Sequence, residues 1–277
     1  MKPKALSEAD WIKIREKYRM LNGKRWDGLD GVKKVNILRE LDIDTFYEPI
    51  FGTEYKVTYP NNIYKFRHTQ KYKLNEVELL LMKEMAENET SEVGGILNFQ
   101  EETNVQILFI GNETLIDLNL EQSTKDKMSL LLFHTHPKDD EVEFDPPSIL
   151  DIISFLSFNV KSLADLVLNP EKANTDKVLK IQIGIVFTKN EIYTYYMSHE
   201  LIVRIILHLR EIYQEGNFIE DAEKLLEEIE LCYTSHLLKY NISMTHKQVN
   251  DYIKKLGSLG ILMKRSSYSE GCNCYVF

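Results

Sequence analysis

The chain has 277 residues, of which 43% are hydrophobic and 28% charged, with a formal charge of −9; it is long enough to bury a full core and is neither disordered nor fibrous in composition. Its opening residues lack the apolar stretch of a secretory signal, and its most apolar run, Ile149 to Leu168, is interrupted by Asp151, Lys161 and Asp165, so the expectation is a cytoplasmic or nuclear protein with no membrane partner. Three cysteines, Cys232, Cys272 and Cys274, do not make a disulfide framework, and Cys272-Asn-Cys274 has no matching pair to complete a structural metal site, so free thiols are expected.

Residues 7 to 20 carry Trp11, Ile14 and Tyr18 on one stripe, which predicts a helix with Ser7 as its cap and Gly23 as its stop. Residues 25 to 72 have little period and read as an irregular extension with one short helix near Val32 to Leu41. Helical spacing resumes over 74 to 87, followed by strands over Glu92 to Phe99, Val105 to Gly111 and Ser129 to His134. Ser148 to Phe158 reads as a helix and Leu163 to Leu168 as a strand; Ile181 to Thr188 and Glu191 to Met197, joined by Lys189-Asn190, read as a hairpin.

Strands mixed with helices over 74–197 predict an α/β domain with a mixed sheet flanked by helices, preceded by a basic extension over 1–73. From 198 to 277 the pattern is helical, with two long amphipathic helices separated at Glu215-Gly216-Asn217. A shorter helix capped by Thr245 and two terminal strands then suggest a winged-helix-like unit.

Charge is unevenly spread. Residues 1–73 carry 16 Lys and Arg against 10 Asp and Glu, residues 240–277 carry 5 against 2, and the middle holds −18. Basic flanks of this kind can meet an acidic partner, but no dense Lys/Arg cluster or nucleic-acid motif accompanies them, so packing of the flanks on the acidic middle is the expectation.

The chemistry concentrates at Leu131-Leu132-Phe133-His134-Thr135-His136-Pro137 and at Pro146-Pro147-Ser148-Ile149-Leu150-Asp151. Two histidines two residues apart at a strand end project from one side of the pleat and can reach one ion. Asp151 can add a carboxylate, leaving a fourth tetrahedral position open, as in a catalytic zinc site. A His-x-His pair alone means little, since seven histidines in 277 residues produce one by chance in roughly one chain in six. Ser148 with Asp151 also fits a helix cap with an acid in the first turn, and Glu92 fits an exposed acid at a strand start.

The three elements occur in one order: Glu92 before Gly94-Gly95, His134-Thr135-His136-Pro137, and Ser148-x-x-Asp151. Over residues 74–197 the chain thereby resembles the JAMM (MPN-plus, JAB) metalloprotease family. The resemblance implies the layering of MPN and cytidine deaminase-like domains, one catalytic zinc ion held by His134, His136 and Asp151, Glu92 as acid/base and Ser148 as hydrogen-bond donor to the oxyanion. It further implies hydrolysis of an isopeptide bond in a ubiquitin or ubiquitin-like protein conjugate. The alternative is a non-catalytic MPN-type scaffold that binds assembly partners through its flanks, although this chain keeps the full residue set.

Eleven residues, Pro137 to Pro147, separate His136 from Ser148, four more than the family's usual spacing. The lengthened loop is acidic, and Asp139, Asp140 and Asp145 compete with Asp151 as third ligand; the i, i+3 relation of Asp151 to Ser148 favours Asp151. Cys232 near Ser235 and His236 falls within a helical pattern, and His68, His199, His208 and His246 show no metal spacing.

Overall fold

In the computed structural model, described over residues 8–17, 29, 31–41, 70–73, 76–88, 90–98, 104–110, 130–137, 144–168, 181–215, 218–240, 244–270 and 273–276, the strands run β1 (Gln70–Lys73), β2 (Val93–Asn98), β3 (Asn104–Ile110), β4 (Leu130–Thr135), β5 (Ile181–Phe187), β6 (Glu191–Met197), β7 (Ile261–Ser267) and β8 (Asn273–Val276). The helices are α1 (Glu8–Lys17), α2 (Gly31–Glu40), α3 (Glu76–Asn88), α4 (Ile149–Leu168), α5 (His199–Glu215), α6 (Phe218–Leu237) and α7 (His246–Ser258). Ser7, Tyr18, Gly23, His68, Asp139, Asp140 and Cys272 lie outside the described residues.

Six strands form one mixed sheet in the order β3-β2-β4-β5-β6-β7, in which β4 and β5 are parallel and every other neighbouring pair antiparallel. The parallel pair requires a crossover, and α4 lies in it. Central strands are buried on both faces, and the two-residue alternation sorts their side chains. Leu132, Val186, Tyr193, Tyr195 and Met197 pack with α4, α5, α6 and α7, whereas Phe133, Ile183, Ile185, Phe187 and Ile192 pack with Leu79 and Met82 of α3. The result is an α/β arrangement with helices on both faces of a mixed sheet.

Close packing leaves its mark at Gly184, which is paired with Tyr195 across β5 and β6. A Cβ there would lie 2.2 Å from Cζ of the Tyr195 ring, which stacks edge-on against Phe155 of α4 at 5.2 Å. At the entry to β7, Gly260 adopts φ 88°, a conformation that disfavours other residues.

Residues 163–168, expected as a strand, are the last turns of α4, which runs unbroken from Ile149 to Leu168. Ile152, Phe155, Leu156, Val160 and Leu163 bury one face at three- and four-residue spacing, and that period overrides the short apolar run that suggested a strand. The α2 helix matches the short helix expected near 32–41. It docks on α6 through a bond from Lys34 Nζ to Glu227 Oε1 of 2.5 Å, with Lys34 buried, so this part of the basic flank packs on the acidic middle.

Strand pairing ties the last segment, 198–277, to both of the others. β7 pairs with β6 along its whole length, from Glu191 opposite Ser267 to Met197 opposite Ile261. β1 pairs with β8, from Gln70 opposite Val276 to Lys73 opposite Asn273. The two terminal strands therefore do not pair with each other. Among the described residues no helix is long and apolar enough to cross a membrane.

Candidate metal centre

The side-chain alternation of β4 continues beyond its end. Leu132 faces α4, so His134 and His136 follow on the same face, which is where α4 begins. The His136 amide donates to Phe187 O at 2.9 Å, extending the β4–β5 ladder by one residue. On the other side, Gly94 of β2 pairs with His134, and continuing that register sets Glu92 across from His136. The Val93 amide donates to Thr135 Oγ1 at 3.0 Å, fixing this end of β2.

At the start of α4, Ser148 and Asp151 satisfy each other. The Asp151 amide donates to Ser148 Oγ at 3.2 Å, and the Ser148 amide donates to Asp151 Oδ2 at 2.6 Å. This reciprocal cap supplies acceptors for amides that have no partner within the helix, and it fixes the rotamer of Asp151. The capping explanation for Ser148 and Asp151 therefore holds, and the same bonds aim the carboxylate at the histidines.

His134 Nε2 lies 3.1 Å from His136 Nε2 and 3.3 Å from Asp151 Oδ1, and His136 Nε2 lies 3.7 Å from Asp151 Oδ2. A tetrahedral ion with ligand bonds of about 2.1 Å needs its ligand atoms about 3.4 Å apart. Each of the three buried or half-buried groups offers a ligand atom within 4.8 Å of the other two, a spacing that one carboxylate oxygen and two imidazole nitrogens can close by small side-chain shifts, so they can hold a metal ion.

Asp145, an acid of the lengthened loop, is not in that triangle. Its carboxylate Oδ2 lies 3.0 Å from Nδ1 of His136 and its backbone oxygen 3.2 Å from the same nitrogen, so it engages the ring from the side away from His134 and Asp151. From the sequence alone Asp145 is only a rival ligand.

Electrostatics follow from this crowding. Burial by itself would raise the Asp151 carboxyl, but His134 and His136 hold it well below the usual carboxylate range. Burial would lower the His136 imidazole, but hydrogen bonds to Asp145 and Asp151 hold it well above its usual value. Glu92 is 8% exposed; burial raises its carboxyl, His134 and His136 pull it down, and Asp151 and Asp145 push it up. It is a buried carboxyl rather than the exposed acid of the simplest reading, and it feels both histidines.

The C-terminal region braces the loop that leads into α4. Tyr252 of α7 donates to Pro147 O at 2.8 Å from a fully buried position. Phe144 bridges to Met244, meets the His246 ring edge-on at 5.7 Å, and lies under the Arg265 guanidinium at 4.5 Å. Arg265 is held by both carboxylate oxygens of Glu191, one of which also accepts from Tyr193 Oη at 2.8 Å. None of these residues carried a motif that marks it in sequence.

The weaker readings also resolve. Burial pushes the Cys232 thiol up to about 12, which unsuits it as a nucleophile. His208 lies 3.7 Å from Glu211, and His246 Nδ1 contacts Asn250 at 3.1 Å, and among the described residues neither belongs to a cluster of ligands. Cys274 stands opposite Tyr72 in the β1–β8 pair.

No protein-family model matches this chain, and neither a curated protein nor a solved structure matches it.

Proposed function

We propose that this chain is a zinc-dependent amide hydrolase of the JAMM type, with an MPN-like domain, that removes ubiquitin or a ubiquitin-like modifier from a lysine amine. The observation that carries the reading is the convergence of His134, His136 and Asp151, whose ligand atoms lie within 4.8 Å of one another, with the buried carboxyl of Glu92 beside them. The substrate class comes from the resemblance of the motif set. A zinc ion held there supplies a Lewis acid that lowers the pKa of water towards neutrality and leaves one coordination position open.

The remaining work falls to side chains. Burial keeps the Glu92 carboxylate basic enough to accept a proton from the attacking water, and the same carboxyl then delivers it to the departing lysine amine, which leaves poorly unless protonated. Ser148 Oγ accepts from the Asp151 amide, so its own hydrogen is free to donate to the oxyanion of the tetrahedral intermediate.

Glu92→Ala in the full chain tests the reading. It is expected to retain stoichiometric zinc and to lose about 10²–10⁴-fold in turnover of ubiquitin-chain and ubiquitin-like substrates. Turnover unchanged from the unmodified chain refutes the assignment. Full zinc loading with no turnover of any substrate by the unmodified chain leaves a scaffold.

A further inference from the structure

We infer that Asp145 is a positioning residue for metal binding, and that the C-terminal region holds it in place by gripping Phe144. The inference rests on the proposed metal centre, though not on any reaction there.

A neutral imidazole carries its proton on one nitrogen and its lone pair on the other, and the partner of the first decides which. His136 directs Nε2 towards His134 and Asp151, while Nδ1 meets both the carboxylate and the backbone oxygen of Asp145 at 3.0 and 3.2 Å. Two acceptors on Nδ1 require that nitrogen to carry the proton. The lone pair is thereby placed on Nε2, facing the ligand triangle. A carboxylate in this position also makes the imidazole a stronger donor to a cation.

Asp145 is half exposed on a loop, and the flexibility expected of such a position is countered by its neighbour. Phe144 sits between the Arg265 guanidinium and the His246 ring and bridges to Met244. Arg265 is in turn fixed by the paired bonds to Glu191. The line of contact therefore runs from β6 and β7 through Phe144 to Asp145 and His136. The lengthened loop, an apparent departure from the family spacing, ends in the residue that orients a ligand, and residues 244–267 form part of the metal centre's support.

The test measures zinc affinity by chelator competition and the visible spectrum of the cobalt-substituted protein, in full-length chains. Asp145→Ala is expected to weaken zinc about 10- to 100-fold and to shift the cobalt bands. Asp145→Asn, which keeps an acceptor for Nδ1 without the charge, is expected to recover part of the affinity and the native spectrum. Phe144→Ala is expected to weaken zinc as well, and the double variant F144A/D145A to bind no more weakly than D145A alone, because both act through one contact.

Zinc affinity of D145A within twofold of the unmodified chain overturns the role of Asp145. Complete loss of zinc in D145A with retention in Asp151→Ala overturns it too, by making Asp145 the ligand. Additive losses in F144A/D145A overturn the grip by Phe144. An unmodified chain that binds no zinc overturns the metal centre itself, an outcome distinct from the other three.

Discussion

Ser148 performs two tasks that a single substitution confounds and a pair of substitutions separates. Its Oγ accepts from the Asp151 amide at 3.2 Å, which makes it the N-cap of α4, and its hydrogen is the proposed oxyanion donor. Replacing an N-cap serine by alanine costs about 1 kcal/mol, whereas glycine costs only a few tenths, because an unblocked backbone lets water reach the orphan amides. Loss of one oxyanion donor costs about 10²–10³ in kcat. Ser148→Ala should therefore lower both stability and kcat, with Tm falling by about 2–4 °C for a chain of this size. Ser148→Gly should lower kcat by the same factor with Tm nearly unchanged. Zinc affinity should hold in both, since the bond that orients Asp151 comes from the Ser148 backbone amide at 2.6 Å and survives either change. Steady-state kinetics, thermal unfolding and chelator competition give the three readouts. Glycine at 148 with kcat within about threefold of the unmodified chain, against the loss of about 10² set by the donor, would refute the oxyanion assignment and leave Ser148 as a cap.

Two further outcomes follow from packing and charge. Gly184→Ala places a methyl 2.2 Å from the Tyr195 ring, which is locked against Phe155, so overpacking should cost about 1–3 kcal/mol or more, read as a lowered denaturant midpoint; an unchanged midpoint contradicts the described packing. In chelator-treated protein, the His136 imidazole, raised above its ordinary 6.5, stabilises the fold below that pH and loses this contribution as pH rises through the raised value. The Asp151 carboxyl, depressed below its ordinary 3.8, stabilises above that pH and loses its contribution as pH falls through the lowered value. The Tm of the metal-free form should therefore decline from pH 6.5 upward, and zinc should remove the decline because the ion replaces the proton. A flat metal-free profile between pH 6 and 9 contradicts the ion pair.

Local patterns made much of the site legible. The alternation along β4 places His134 and His136 on one face whatever packs there, and Ser148-x-x-Asp151 announces a helix start from its capping chemistry alone. Where two local readings competed, tertiary packing chose. Residues 163–168 read as a strand in isolation, but the buried face from Ile152 to Leu163 continues through them, and burial of that face on the sheet keeps them helical. The β1–β8 pair joins Gln-Lys-Tyr-Lys to Asn-Cys-Tyr-Val, two segments too short and too polar to identify each other across the length of the chain. The placement of β7 beside β6 was equally hidden, because an edge strand such as Ile-Leu-Met-Lys-Arg-Ser-Ser carries no mark of its neighbour.

Which residues can bind an ion, and which face of each element they occupy, is legible from local pattern alone, because rotation per residue and capping are properties of the local backbone. It took the packed fold to bring the three donors within 4.8 Å of one another, to bury Glu92 beside them, and to set Asp145 against the far side of His136 instead of among the ligands. Those facts depend on how β2, β4, α4 and the C-terminal strand meet. That meeting is set by the shared burial of their apolar faces, a quantity summed over the whole chain.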